Sequence, residues 1–379
     1  MNNKEKVALV LSGGGAKGAY EAGVWQALTD LGINIDIVTG TSVGSINGAM
    51  VCQGDLELTI KMWRELETHM IFDVAEGSQP IDYAREIVIN KGAGSTRLKK
   101  LLSEYVDEEK IRNSPVEFGL VTVERNTLKP VKLFKEDIKE GQIADFIVAS
   151  ASAYPAIHAH EIDGVEYIDG GYADVLPVDM AIEKGATSVI AVKLNAIGVL
   201  KHDSLKNAPN LTVIESKWPL GNTLIFDTDN ARKIMRLGFL DAMKAFDVFE
   251  GTYYAFAKGS FNKTDTKMAD LCAKLFDMDP TLVYTKDSFL KKLKEIIGNS
   301  TSELDEALEN FKHLLTGVAA VPELIKDIKN LSGSHIFCLV IAQNIKEKGP
   351  DSIFLSRPVI KLLPEAVMAA RFLVKFQLI

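Results

Sequence analysis

Gly40-Thr41-Ser42-Val43-Gly44 is the stretch on which the reading of this 379-residue chain turns. It follows the strand-length run Ile33 to Val38 and opens a run of small residues, Ser45 to Met50. That order is strand, sharp turn, helix. A Gly-x-Ser-x-Gly at such a junction can form a nucleophile elbow. The turn lifts the Ser42 hydroxyl clear of the backbone, and the flanking glycines leave room for a substrate. The new helix aims its N-terminus at the site, where about half a positive charge favours a developing anion. Alone, the pentapeptide fits a plain turn equally well, so its surroundings must decide.

On the N-terminal side, Val7 to Leu11 is a continuous apolar run suited to a sheet buried on both faces. Gly13-Gly14-Gly15-Ala16-Lys17-Gly18 follows directly. Ala19, Ala22, Gly23, Ala27, Leu28 and Leu31 then recur at helical spacing, and Gly32 is placed to stop that helix. The first fifty residues thus form a β-α-β-α unit, which implies a parallel sheet with right-handed crossovers.

On the C-terminal side, Leu58, Met62 and Leu66 mark an amphipathic helix within Asp55 to Met70. Ile71 to Thr96 is rich in Gly, Ser and Pro and reads as a long connection able to cover a site. Leu98 to Tyr105 is helical. Val116 to Val123 and Val131 to Phe134 are strands joined by a turn at Asn126. Ile143 to Ala151 is a short helix. Val165 to Ile168 is a strand that runs into Asp169-Gly170-Gly171, Pro177 to Lys184 a helix, and Val189 to Leu194 a further strand. Beyond Lys201 helical spacing dominates, at Ala231 to Phe249, Ser288 to Ile297, Glu303 to Leu315 and Glu365 to Phe376, with Ile336 to Ala342 as a late strand. The expected fold class is therefore α/β: a three-layer arrangement with a mostly parallel central sheet flanked by helices, plus a helical C-terminal region. The expected division is a core over residues 1–215 and a helical region over 216–379, the latter a candidate lid or membrane-facing element.

Hydrophobic residues make up 47% of the chain and charged residues 25%, as in ordinary soluble domains. A net charge of −8 gives no footprint for nucleic acid. Met1 to Lys6 carries no apolar h-region, so a secretory leader is not expected. The longest apolar runs fall far short of the roughly 20 residues a bilayer requires. Cys52, Cys272 and Cys338 are odd in number and widely spaced, which suits reduced core thiols better than disulfides or a metal site. A cytoplasmic location without metal or cofactor is the expectation.

The glycine loop has two functional readings. Gly13-x-Gly15-x-x-Gly18 fits a dinucleotide fingerprint, with Asp36 at about the expected distance. Yet that acid belongs at the carboxyl end of the second strand, and Asp36 lies near its beginning. In the other reading, the backbone N–H groups of Gly13, Gly14 and Gly15 turn inward as an oxyanion hole, with Lys17 adding positive charge nearby. Asp169 supplies a carboxylate at a strand end. The glycine loop, Ser42 and Asp169 all follow strands, so they can meet on one sheet edge if each strand is parallel. His158 and His160 precede Asp169 and offer a rival base, with Asp145 or Asp137 as the upstream acid. An α/β-hydrolase triad would place its acid before its histidine.

Taken together, Gly13 to Gly18, Gly40 to Gly44 and Asp169-Gly170-Gly171, in that order, resemble the patatin-like phospholipases, a family of lipid acyl hydrolases. The likeness extends through Ala149-Ser150, Pro155 and Pro177 and covers about residues 5–200. It implies Ser42 as nucleophile, Asp169 as general base, the Gly13 to Gly15 loop as oxyanion hole, and no catalytic histidine, metal or cofactor. It also implies a lipid substrate. Lys17 stands where the family also uses Arg, and Val175 where it often has Asn. Two further readings compete: a nucleotide-binding protein using Gly13 to Gly18, and a catalytically silent lipid-binding protein. The helices around Lys286 to Ile297 and Glu365 to Ile379 fit a bilayer surface or, more commonly, packing on their own protein, so peripheral membrane contact stays open. The sequence does not fix an oligomeric state.

Overall fold

The computed structural model describes residues 5–72, 95–316 and 335–379. Most of the long connection between Ile71 and Thr96 lies outside the described residues. The chain divides into two compact units, Met1–Ala245 and Phe246–Ile379.

The first unit is built on a sheet of strands β1 (Val7–Leu11), β2 (Ile37–Thr41), β3 (Glu117–Glu124), β4 (Lys129–Phe134), β5 (His160–Ile162), β6 (Val165–Asp169), β7 (Ser188–Lys193) and β8 (Leu211–Glu215). Five of these run parallel in the order β3-β2-β1-β7-β8. Helices flank them. Ala8, Leu9 and Val10 of β1 are wholly buried, as a strand covered on both faces requires. The mixed α/β fold with a mostly parallel sheet is as expected.

Three strands break the parallel pattern, and one of them matters most. β4 and β6 both pair antiparallel with β3, and β5 pairs antiparallel with β6. The condition that every strand be parallel therefore fails for the strand that ends in Asp169. A strand has two hydrogen-bonding edges. β4 occupies one edge of β3 over Gly119 to Glu124. β2 and β6 must share the other, β2 opposite Glu117 to Val121 and β6 opposite Thr122 to Glu124. They run toward each other, so Thr41 opposite Val121 and Asp169 opposite Thr122 meet end to end.

The first unit continues past residue 215 to include the helix Thr228–Ala245. This helix crosses Ala19–Asp30 with the two backbones almost touching. A Cβ on Gly23 would stand 1.8 Å from the Met235 carbonyl oxygen, and one on Gly238 would stand 2.0 Å from that of Tyr20. Only glycine permits that approach.

The second unit is mainly helical, with a small sheet of Phe249–Glu250, Ala255–Ala257 and Val283–Tyr284. Its core holds Phe256, Phe261, Phe289 and Phe372 in edge-to-face contacts. The apolar faces of Lys286–Asn299 and Pro364–Lys375 are used inside it: Phe289, Leu293, Phe372 and Leu373 are fully buried. The late strand expected at Ile336 to Ala342 is instead part of the helix His335–Lys348. All seven residues there are apolar, and Phe337 to Ala342 are at most 2% exposed. A helix buried all round shows no polar period to distinguish it from a core strand.

Candidate active site

Ser42 sits between β2 and the helix Val43–Gln53 with φ 55° and ψ −127°. Positive φ in a non-glycine residue costs energy and survives only where the surroundings enforce it. Here two glycines let the chain fold back on itself. A Cβ on Gly40 would lie 2.1 Å from the Gly44 carbonyl oxygen, and one on Gly44 would lie 2.5 Å from that of Leu11. Ser150 fixes the turn from the other side. Its hydroxyl accepts the Ser42 N–H at 3.0 Å and donates to the Val121 carbonyl at 2.6 Å. The sequence singles out Ser150 only through the family likeness. Its bridging role needs three distant segments and has no local signal.

Ser42 and Asp169 line the same cavity, and the Ser42 side chain lowers the Asp169 pKa. Asp169 Oδ1 accepts the Gly171 N–H at 2.7 Å. Burial raises the Asp169 pKa to about 6, against the lowering effect of the Ser42 side chain and the Gly171 N–H. The residues predicted as nucleophile and base thus line one cavity, although Asp169 arrives on an antiparallel strand.

The glycine loop lies beside them, and its members differ. Gly13 donates its N–H to the Val175 carbonyl at 2.9 Å, so that donor is engaged. Val175 in turn donates to Val199 at 2.7 Å. Among the described residues, the N–H groups of Gly14 and Gly15 have no protein acceptor. Lys17 is half-buried in the turn Gly15–Gly18 and is not among the residues lining the cavity. Asp36 sits at the opposite end of the sheet, where its carboxylate accepts the Val7 N–H at 2.9 Å. That distances it from the glycine loop, as its place at the start of the strand suggests.

Ser42, Asp169 and Gly13 to Gly15 line a cavity of about 580 Å³ in the first unit. Its walls are apolar, with Trp63, Leu66, Leu102, Ile157 and Phe226 among them. His158 and His160 do not line it. His160 Nε2 instead meets Asp145 at 2.8 Å, and Lys99 meets the same carboxylate at 2.6 Å. Burial would raise the Asp145 pKa, but those two partners hold it below the usual carboxylate range.

Sequence reading missed Glu21. It is 1% exposed on the helix that follows the glycine loop. Its Oε1 accepts the Ser12 N–H at 2.7 Å and its Oε2 accepts the Asn47 amide at 2.8 Å. Asn47 also accepts from Trp63 Nε1 at 2.9 Å. One buried carboxyl thus ties the strand end before the glycine loop to the helix that carries Ser42. Burial pushes its pKa up to about 8.

Residues 9–182 match the family model of patatin-like phospholipase. Patatin-like phospholipase domain-containing protein 7 of Rattus norvegicus is 28% identical over 196 residues, 50% of this chain and 14% of that protein. An uncharacterized NTE family protein of Mycobacterium tuberculosis is 27% identical over 241 residues, 62% of this chain and 61% of that protein. The chain thus matches about a seventh of the length of the first relative. The crystal structure of VipD from Legionella pneumophila is similar with a TM-score of 0.44 and 14% identity, over 99% of this chain and 92% of that one. That likeness is too distant to bear on the site.

Proposed function

We propose that this chain, whose residues 9–182 match the patatin-like phospholipase family model, is a serine lipid acyl hydrolase that cleaves fatty-acyl esters of phospholipids or lysophospholipids. Ser42 is the nucleophile, Asp169 the general base, and the N–H groups of Gly14 and Gly15 the oxyanion donors. The observation that carries this reading is that Ser42, a buried Asp169 and the Gly14 and Gly15 backbone together line one apolar cavity.

Ser42 Oγ attacks the ester carbonyl carbon while Asp169 takes its proton. The carbonyl oxygen becomes an oxyanion held by the glycine N–H groups and the N-terminus of Val43–Gln53. Collapse breaks the ester C–O bond, and the departing alcohol takes the proton from Asp169. Water then attacks the acyl-Ser42 carbonyl, gives a proton to Asp169, and the fatty acid leaves as the proton returns to Ser42. A lone aspartate is a weak base, since its ordinary pKa of about 3.9 forfeits about 4 kcal/mol against an ideal one near 7. At about 6 the deficit falls to ~1.4 kcal/mol. One oxyanion donor at ~3 kcal/mol exceeds that.

A fluorophosphonate probe tests the nucleophile: the native protein is labelled and Ser42→Ala is not. Labelling that survives in Ser42→Ala removes Ser42 from this role. Incubation with a mixed lipid extract, read by mass spectrometry, identifies which acyl esters disappear and which fatty acids accumulate.

A further inference from the structure

We propose that the rim of this cavity is a membrane-docking surface, where Ile197, Val199, Tyr172 and Tyr154 enter the interfacial layer of a zwitterionic phospholipid bilayer. The proposal rests on the lipid hydrolase reading. All four side chains line the cavity and are exposed, Ile197 completely. Single exposed apolar residues are ordinary on any protein surface. These four are joined through the backbone. Val199 donates its N–H to the Gly171 carbonyl at 2.9 Å, which ties the loop after β7 to the segment after Asp169. The Tyr172 hydroxyl donates to the Tyr154 carbonyl. A contiguous apolar rim marks an interaction surface, and tyrosine, with an apolar ring and a polar tip, suits the headgroup level of a bilayer.

Two observations choose the occupant. The rim opens directly onto Ser42 and Asp169, so a protein partner or a second copy seated there would close the entrance to the reaction. A bilayer seated there delivers the substrate. The charge pattern then selects the kind of bilayer. Arg125, stacked on Tyr154 at 4.8 Å, is already paired with Glu166 at 2.7 Å, and the whole chain carries −8. Among the described residues, the cavity lining holds no lysine or arginine to attract anionic headgroups, so apolar insertion drives the contact.

The test uses full-length Ser42→Ala protein, which separates binding from turnover. Its partition onto phosphatidylcholine vesicles is compared with that of Ser42→Ala carrying Ile197→Asp and Val199→Asp. The aspartate variant loses at least about tenfold in partition. Adding phosphatidylserine or raising the salt changes the partition of the parent little. Ile197→Trp strengthens it, which guards against loss through misfolding. Partition that responds to neither Ile197 variant overturns the proposal, as does a dimer in solution that Ile197→Asp dissolves. Probe labelling of the native protein is scored separately, so hydrolysis and docking can fail independently.

Discussion

Glu21 and Asp169 are both buried carboxyls of the first unit, and burial raises both, to about 8 and about 6. Their surroundings separate them. The two Glu21 oxygens each take an N–H donor from the core, and the side chain is not part of the cavity wall. Asp169 takes one backbone N–H and borders the cavity that Ser42 also lines. A perturbed acidity therefore reports burial in both places and chemistry in neither. What distinguishes the Asp169 region is a partner with a transferable proton and room for a substrate beside it.

Substitution puts the largest effect on that contrast. Asp169→Asn lowers kcat on a soluble ester by roughly 10²–10⁴-fold, the usual contribution of a general base. Glu21→Gln, whose amide oxygen still accepts the Ser12 N–H, lowers it less than about tenfold. The pH profile separates them again. A base must be unprotonated to act, so kcat/KM rises with pH through about 6 in the native protein and in Glu21→Gln alike. A limb near 8 that Glu21→Gln removes would exchange the roles assigned to the two carboxyls.

Stability supplies the next effect. An acid whose folded pKa is raised contributes fully below its unfolded pKa and loses that contribution as pH rises through the folded value. For Glu21 the window runs from 4.5 to about 8. Across it, the native protein loses a few kcal/mol relative to Glu21→Gln, measured by denaturant unfolding. For Asp169 the window runs from 3.8 to about 6 and is passed by neutral pH. Asp169→Asn at pH 7 therefore gains up to about 3 kcal/mol in stability while losing turnover. A variant that lost both would make the carboxylate a structural part.

Much of this geometry is legible in the sequence where it is local. The elbow is five consecutive residues, and the glycine loop directly follows a strand of plain apolar pattern. Asp169 is readable as a carboxylate at a strand end, but strand direction is not. Alternation along Val165 to Asp169 is the same whether β6 runs with β3 or against it, and only the pairing opposite Thr122 to Glu124 decides. Glu21 escapes because one acid in a helix normally faces water. Its burial depends on Ser12 and Asn47, brought together by the crossover.

The smallest effect concerns the hydroxyl that Asp169 has and Glu21 lacks. Ser42 holds φ 55° and ψ −127°, which costs a non-glycine residue about 1–3 kcal/mol. Ser42→Ala and Ser42→Gly both lack the proposed nucleophile, so both are expected to lose turnover. Only glycine is released from the strain, and it gives back roughly 0.5–1 kcal/mol through its greater freedom in the unfolded chain. Thermal unfolding should therefore rank Ser42→Gly above Ser42→Ala by about 1 kcal/mol. Ser42→Gly melting below Ser42→Ala by roughly 0.5–1 kcal/mol would mean that the turn imposes no strain on residue 42. In that case, hydrogen bonding by Ser150 and close approach at Gly40 and Gly44 would account for the raised hydroxyl without any sacrifice of stability.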